Sequence, residues 1–239
     1  EGTVLKILGE KGDNNVEMEA IVLERGFQMK FPPKVEHEAE TLGKESKPIP
    51  AKDIAERKDF RGVTTFTIDP EDAKDFDDAV SFKKISDNLF EIGVHIADVS
   101  HYIREGSQLD KEALHRGVSI YLVDRTVPML PEILSNDICS LNPKEDKLTF
   151  STVLTISGNG DIRKVWFGRT VINSNKRFVY EEAQKILDNK KGEYHEELNS
   201  LNKLAKIFKG KRLGTGALDF EKDEVKFKLD AKGKPIDIV

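Results

Sequence analysis

The apolar positions of this chain change period along its length. Alternation with period two runs through "GVTTFTID" (62–69), "AVSFKK" (79–84), "LFEIGVHIADV" (89–99) and "VSIYLV" (118–123), and predicts four strands. A hairpin is predicted from "FSTVLTI" through "SGNGD" to "IRKVWFGRTVI", and a second from "VKFKLD" through "AKGK" to "PIDIV". Helical spacing appears where Val179, Ala183, Ile186 and Leu187 share one face, and again where Leu198, Leu201, Leu204, Ala205 and Phe208 share another. "SQLDKEALHRG" predicts a short helix with Ser107 as N-cap and Gly117 as its stop, and "LPEILSND" a helical turn started by Pro131.

The first 31 residues read as β-rich, with "TVLKIL" and "VEMEAIVLE" as strands around the turn-like "GEKGDNN". Residues 32–60 are polar, charged and Pro-containing, which suits a connecting segment with one short helix. No repeat and no regular βαβ alternation occurs, so the expected class is α+β, a mixed or antiparallel sheet with packed helices.

Composition narrows the functional classes. The chain has 239 residues, 38% hydrophobic and 34% charged, enough for one large domain or two smaller ones. No apolar run approaches the roughly 20 residues of a membrane helix. One cysteine, Cys139, leaves no internal disulfide partner and no multi-cysteine zinc site, and predicts a buried thiol in a reducing, cytoplasmic setting. The net charge of −5 argues mildly against a nucleic-acid partner, although a local basic groove is compatible with it. Both ends stop inside strand-like runs, which predicts a piece of a longer protein.

Against this background "FTIDPEDAKDFDDAVSF" (66–82) stands out, because six acidic residues fall within ten positions between apolar strands. Asp69, Asp75, Asp77 and Asp78 form the spacing D-x5-D-x-D-D. Four ionised carboxylates repel one another unless positive charge is supplied, and oxygen-only ligands select hard cations such as Mg²⁺ or Mn²⁺. An EF-hand is excluded: counted from Asp69, the sixth position is Lys74 rather than glycine. The five histidines show no metal-ligand spacing, and no Walker-type glycine-rich loop occurs. A pair of hard cations is the usual clamp for in-line attack at phosphorus, which points to phosphoryl transfer or phosphodiester hydrolysis. Spacing alone leaves a solvated acidic loop as an equal alternative.

"TIDPEDAKDFDDAVS", "GVHIADVSHYI", "VPMLPEILSNDICSLNP" and "RFVYEEAQKIL" together closely resemble the RNB catalytic domain of the ribonuclease II / ribonuclease R family, nearer to ribonuclease R, from about Asp59 onward. The resemblance implies a Mg²⁺-dependent hydrolytic 3′-to-5′ exoribonuclease that degrades single-stranded RNA to nucleoside 5′-monophosphates. It implies that Asp69, Asp75, Asp77 and Asp78 are the catalytic, metal-binding aspartates, with Asp77 the one whose loss stops cleavage while RNA binding is largely kept. It also implies that Tyr121 and Phe220 clamp the terminal bases and that Tyr180 contacts RNA. Base-on-aromatic stacking ignores base identity, which suits an enzyme that processes any sequence. Each ring has an alternative as a core residue. Residues 1–48 resemble the end of an OB-type cold-shock domain plus linker, and 49–239 the first part of the RNB domain. A non-catalytic RNA-binding relative and a deoxyribonuclease remain alternatives.

Overall fold

In the computed structural model, residues 2–219, 225, 227–231 and 233–238 are described. The elements in chain order begin with α1 (Asn14–Glu24), α2 (Pro33–Glu45), α3 (Ala51–Ala55), β1 (Lys58–Asp59) and β2 (Thr65–Asp69). They continue with β3 (Asp78–Ser86), β4 (Leu89–Ala97), α4 (Val99–Tyr102), α5 (Gln108–Arg116), β5 (Ile120–Tyr121) and β6 (Thr126–Val127). A π-helical turn (Ile133–Ile138) leads into β7 (Asp146–Ser157), β8 (Ile162–Asn173), β9 (Lys176–Val179), α6 (Tyr180–Asn189), α7 (His195–Gly214), β10 (Phe227–Leu229) and β11 (Pro235–Ile238). The chain divides into two compact units, one of residues 1–40, 105–131 and 221–239, the other of 41–104 and 132–220.

The second unit carries a seven-stranded sheet in the order β1-β8-β7-β4-β3-β2-β9. Its centre is antiparallel, whereas β1 against β8 and β9 against β2 run parallel, so the α+β class with a mixed sheet holds. The predicted hairpin at 150–172 is β7–β8, with Phe150 opposite Arg169 and Leu154 opposite Val165. Two helices cover one face. Phe66 and Phe178, ring centroids 5.4 Å apart and edge to face, pack with Ala183, Ile186 and Leu198. Phe82, Ile92 and Ile156 pack with Leu204 of α7. Burying each such side chain is worth roughly 1.5–3 kcal/mol, which anchors β2 and β9 against α6. Ala205, expected on the inner face of α7, is exposed.

The opposite face of the central strands carries a hydrogen-bonded polar group around His95. His95 is buried, its Nδ1 2.7 Å from Ser151 Oγ and its Nε2 2.9 Å from Ser81 Oγ. Its ring lies over Gly93, where a Cβ would come within 2.5 Å of Nε2, so only glycine leaves room. Burial pushes the His95 imidazole down to about 4. At the end of β4, Arg57 and Asp98 form a buried ion pair of 2.6 Å.

In the first unit the expected strand at 16–24 is a helix, α1. Alternation in "VEME" imitates a strand, but Asp13 accepts from the backbone N–H of Asn15 and Val16 and so caps the helix start. Residues 2–9 form no strand, with Val4, Leu5 and Ile7 exposed. The β-rich expectation for the first 31 residues is therefore corrected. The connecting segment holds two helices, α2 and α3, rather than one. Ser107 caps α5 by accepting from the Asp110 N–H, and Gly117 ends it at φ +73°, as its sequence predicts. "VSIYLV" shrinks to the two-residue β5. The C-terminal hairpin is present as β10–β11. No helix among the described residues is long and apolar enough to cross a membrane.

Candidate active site

β2 ends at Asp69 because Pro70 has no N–H to continue the ladder. From Pro70 to Asp77 the chain leaves regular structure, and it re-enters the sheet at Asp78, the first residue of β3. Asp69 and Asp78 thus stand on adjacent strands, with Asp75 and Asp77 on the loop that joins them. Asp69 lies in register with Val179, so Tyr180, which opens α6, follows directly on the strand beside it.

The four carboxylates feel one another. Burial raises the Asp69 pKa above the ordinary carboxylate value, Asp78 and Asp75 raise it further, and Thr67 and Arg177 oppose the rise. Asp77 is exposed along one side, yet enough protein surrounds its carboxyl that lost hydration leads the causes raising it, followed by Asp75, Asp78 and Asp69. The Thr67 hydroxyl lies near Asp69 without hydrogen-bond geometry, leaving Thr67 Oγ1 and Asp69 Oδ2 both buried and unpartnered. An orphaned, buried carboxylate oxygen costs free energy unless something meets it.

Among the described residues no group of three or more His, Cys, Asp or Glu side chains is arranged to hold a metal ion. The donor chemistry nonetheless fits a hard divalent cation. The loop offers only oxygen ligands, their mutual repulsion calls for positive charge, and Asp69 Oδ2 has no hydrogen-bond partner among the described residues.

Arg177, which is not among the residues singled out from the sequence, also meets this loop. Its Nη2 donates to the Pro70 carbonyl and, at 2.9 Å, to the Glu71 carbonyl, and its guanidinium lies 5.4 Å from the Phe76 ring centroid. Its Nε is buried without a partner. As the register partner of Thr67 it faces the same side of the sheet as Asp69. The parallel pairing of β9 with β2 creates this proximity across more than a hundred residues, so no local signal could reveal it.

The aromatic candidates fall out separately. Tyr180 is exposed at the start of α6, in the same unit as the aspartates. Tyr121 is exposed on β5 in the other unit. Phe220 lies outside the described residues. Cys139 is buried as expected, and burial pushes its thiol up to about 12.

Comparison with known proteins gives a consistent result. The RNB domain family matches residues 57–239. Ribonuclease R of Thermotoga maritima is 40% identical, over 100% of this chain and 34% of that protein. Ribonuclease R 1 of Lactococcus lactis is 38% identical, over 100% of this chain and 30% of that protein. Mycoplasma genitalium RNase R, solved in complex with ribose-methylated single-stranded RNA, superposes with a TM-score of 0.86 at 32% identity, covering 97% of this chain and 36% of that one. The chain spans about a third of the length of these relatives.

Proposed function

Since the chain belongs to the RNB domain family of ribonuclease R-like exoribonucleases, we propose that it carries the acidic centre of a Mg²⁺-dependent hydrolytic 3′-to-5′ exoribonuclease. Its substrate is single-stranded RNA and its products are nucleoside 5′-monophosphates. The observation that carries this reading is the electrostatic coupling of Asp69, Asp75, Asp77 and Asp78 around an unpartnered, buried Asp69 oxygen.

Asp69, Asp75, Asp77 and Asp78 would hold Mg²⁺, or Mn²⁺ in its place, and the metal would supply the charge that steadies a phosphate and acidifies a water. The protein's own groups do the rest. Asp69 is fixed by a core-anchored strand, while Asp77 is held through its carbonyl, which accepts from the Ala97 N–H at 3.0 Å. Burial and the neighbouring carboxylates raise the Asp69 and Asp77 pKa values, a crowding of negative charge that a bound cation would offset. Tyr180 offers an exposed ring for a base to stack on, and Tyr121 and Phe220 would supply the clamp on the terminal bases. A single buried cysteine suits a cytoplasmic enzyme.

The test is an assay of the full-length protein on end-labelled single-stranded RNA, with Mg²⁺ and with EDTA, identifying the products. Processive shortening from the 3′ end to 5′-monophosphates, abolished by EDTA, is the expected result. RNA retained without metal-dependent products would select a non-catalytic RNA-binding protein instead. Equal cleavage of the matching DNA strand would remove the 2′-hydroxyl from the specificity.

A further inference from the structure

Ser140 is buried, and its side chain serves a loop more than sixty residues away. Its Oγ accepts from the Phe76 N–H at 3.0 Å and donates to the Lys74 carbonyl at 2.8 Å. These two backbone groups flank Asp75. The next residue adds a third bond, the Leu141 N–H donating to the Phe76 carbonyl at 2.8 Å, on the peptide that leads into Asp77. One hydroxyl and one amide therefore fix the backbone on both sides of Asp75 and immediately before Asp77.

The anchor itself is rigid. Leu141 and Ser140 are fully buried, and they follow the π-helical turn Ile133–Ile138, a geometry that is rare and concentrates at functional sites. The buried Lys147 ammonium holds that turn, donating to the Asp137 carbonyl at 2.6 Å. The segment from Lys74 to Phe76 belongs to no strand, so without the Ser140 hydroxyl this anchor would keep just the Leu141–Phe76 bond to it. Arg177 hydrogen-bonds the opposite end of the loop, at Pro70 and Glu71, and meets this end through the Phe76 ring rather than its backbone.

From this geometry we infer that Ser140 is a positioning residue for the acidic centre: it holds the Lys74–Phe76 backbone so that Asp75 and Asp77 present their carboxylates together to a divalent cation. This rests on the metal-binding reading given above. Ser140 touches neither the cation nor substrate; it acts through the loop.

The experiment measures Mn²⁺ binding by isothermal titration, and amide hydrogen exchange at Phe76, for the full-length protein, Ser140→Ala and Ser157→Ala. Ser157 is a second buried serine, whose Oγ accepts from the Asp161 N–H at 3.1 Å in the β7–β8 turn, so it controls for the loss of any buried hydroxyl. The expected result is about tenfold or more weaker Mn²⁺ binding in Ser140→Ala, the range seen when a group orienting a metal ligand is removed, with Ser157→Ala unchanged. Phe76 exchange should accelerate in Ser140→Ala alone. Equal Mn²⁺ affinity in Ser140→Ala and the wild type overturns the inference. If the wild type itself binds no Mn²⁺, the metal reading fails instead, and the clamp is then decided by exchange: unchanged Phe76 protection in Ser140→Ala overturns it. Should Ser140→Ala not fold, Ser140→Cys, which keeps the volume but bonds weakly, carries the same comparison.

Discussion

Asp69 and Val179 lie side by side as register partners at the ends of two parallel strands. One residue further on, β2 gives way to the acidic loop and β9 to the helix that begins with Tyr180. A carboxylate cluster and an exposed aromatic ring are thereby set at the same edge of one sheet. Four expected outcomes follow from that arrangement and from the buried polar groups behind it.

Replacing Asp77 by Asn removes one of four coupled charges without changing side-chain shape. Hydrolysis by the full-length protein should fall by roughly 10²–10³-fold or more, the scale set by loss of one preorganised group. RNA affinity should stay within a few-fold, since stacking and backbone contacts are untouched. Single-turnover cleavage beside fluorescence anisotropy measures both; full turnover in Asp77→Asn would remove Asp77 from the centre.

Tyr180 is exposed, so its loss should cost little folding stability. In the Asp77→Asn background, Tyr180→Ala should weaken binding of a single-stranded oligonucleotide by about 1–3 kcal/mol, whereas Tyr180→Phe, which keeps the ring, should retain most of the affinity. Anisotropy titrations decide it. Equal affinities for all three proteins would leave Tyr180 outside the RNA path.

His95 sets a pH dependence of stability. Its pKa falls from 6.5 in the unfolded chain to about 4 in the folded one, through burial. The unfolded state therefore binds the proton first on acidification, and stability is lost as pH drops from about 6.5 toward 4. The loss from this group is on the order of 3 kcal/mol when complete. Urea unfolding between pH 7 and pH 4.5 should show a shallower decline for His95→Gln than for the wild type. Parallel profiles would mean that the imidazole is protonated inside the fold.

The Arg57–Asp98 pair is buried on both sides. Burial alone would push the Asp98 carboxyl up, but hydrogen bonds from Arg57 and Ser100 and the nearby Arg57 and Arg169 charges outweigh it and hold it below the ordinary value. Arg57→Ala leaves the buried Asp98 charge to the Ser100 hydroxyl and the longer 3.6 Å contact with Arg169, and should destabilise by about 3 kcal/mol. Adding Asp98→Ala should restore part of the loss, a non-additivity that thermal melts of the two single variants and the double variant would reveal. Additive losses would mean that the two groups do not interact.

Much of this organisation was legible along the chain. The β7–β8 hairpin follows from alternation and a Gly-rich turn, and α5 from Ser107 and Gly117 at its ends, because such signals are local. At 16–24 two local signals compete: alternation imitates a strand, but the Asp13 carboxylate in the turn-like stretch before it caps a helix. The acidic cluster was visible as spacing, whereas the burial of Asp69 Oδ2 was not, because it depends on what packs across the sheet.

The sequence by itself determined the caps of α5, the β7–β8 hairpin and the oxygen-only character of the cluster, since all three depend on residue identity and near-neighbour order. Only the tertiary structure decided what surrounds the cluster. Arg177 reaches the loop because β9 pairs with β2, and Ser140 reaches it because a π-helical turn delivers a hydroxyl to backbone left without a ladder partner. Those contacts join residues more than sixty positions apart. Chain order does not display them, because they form only when burial of apolar side chains brings distant segments together.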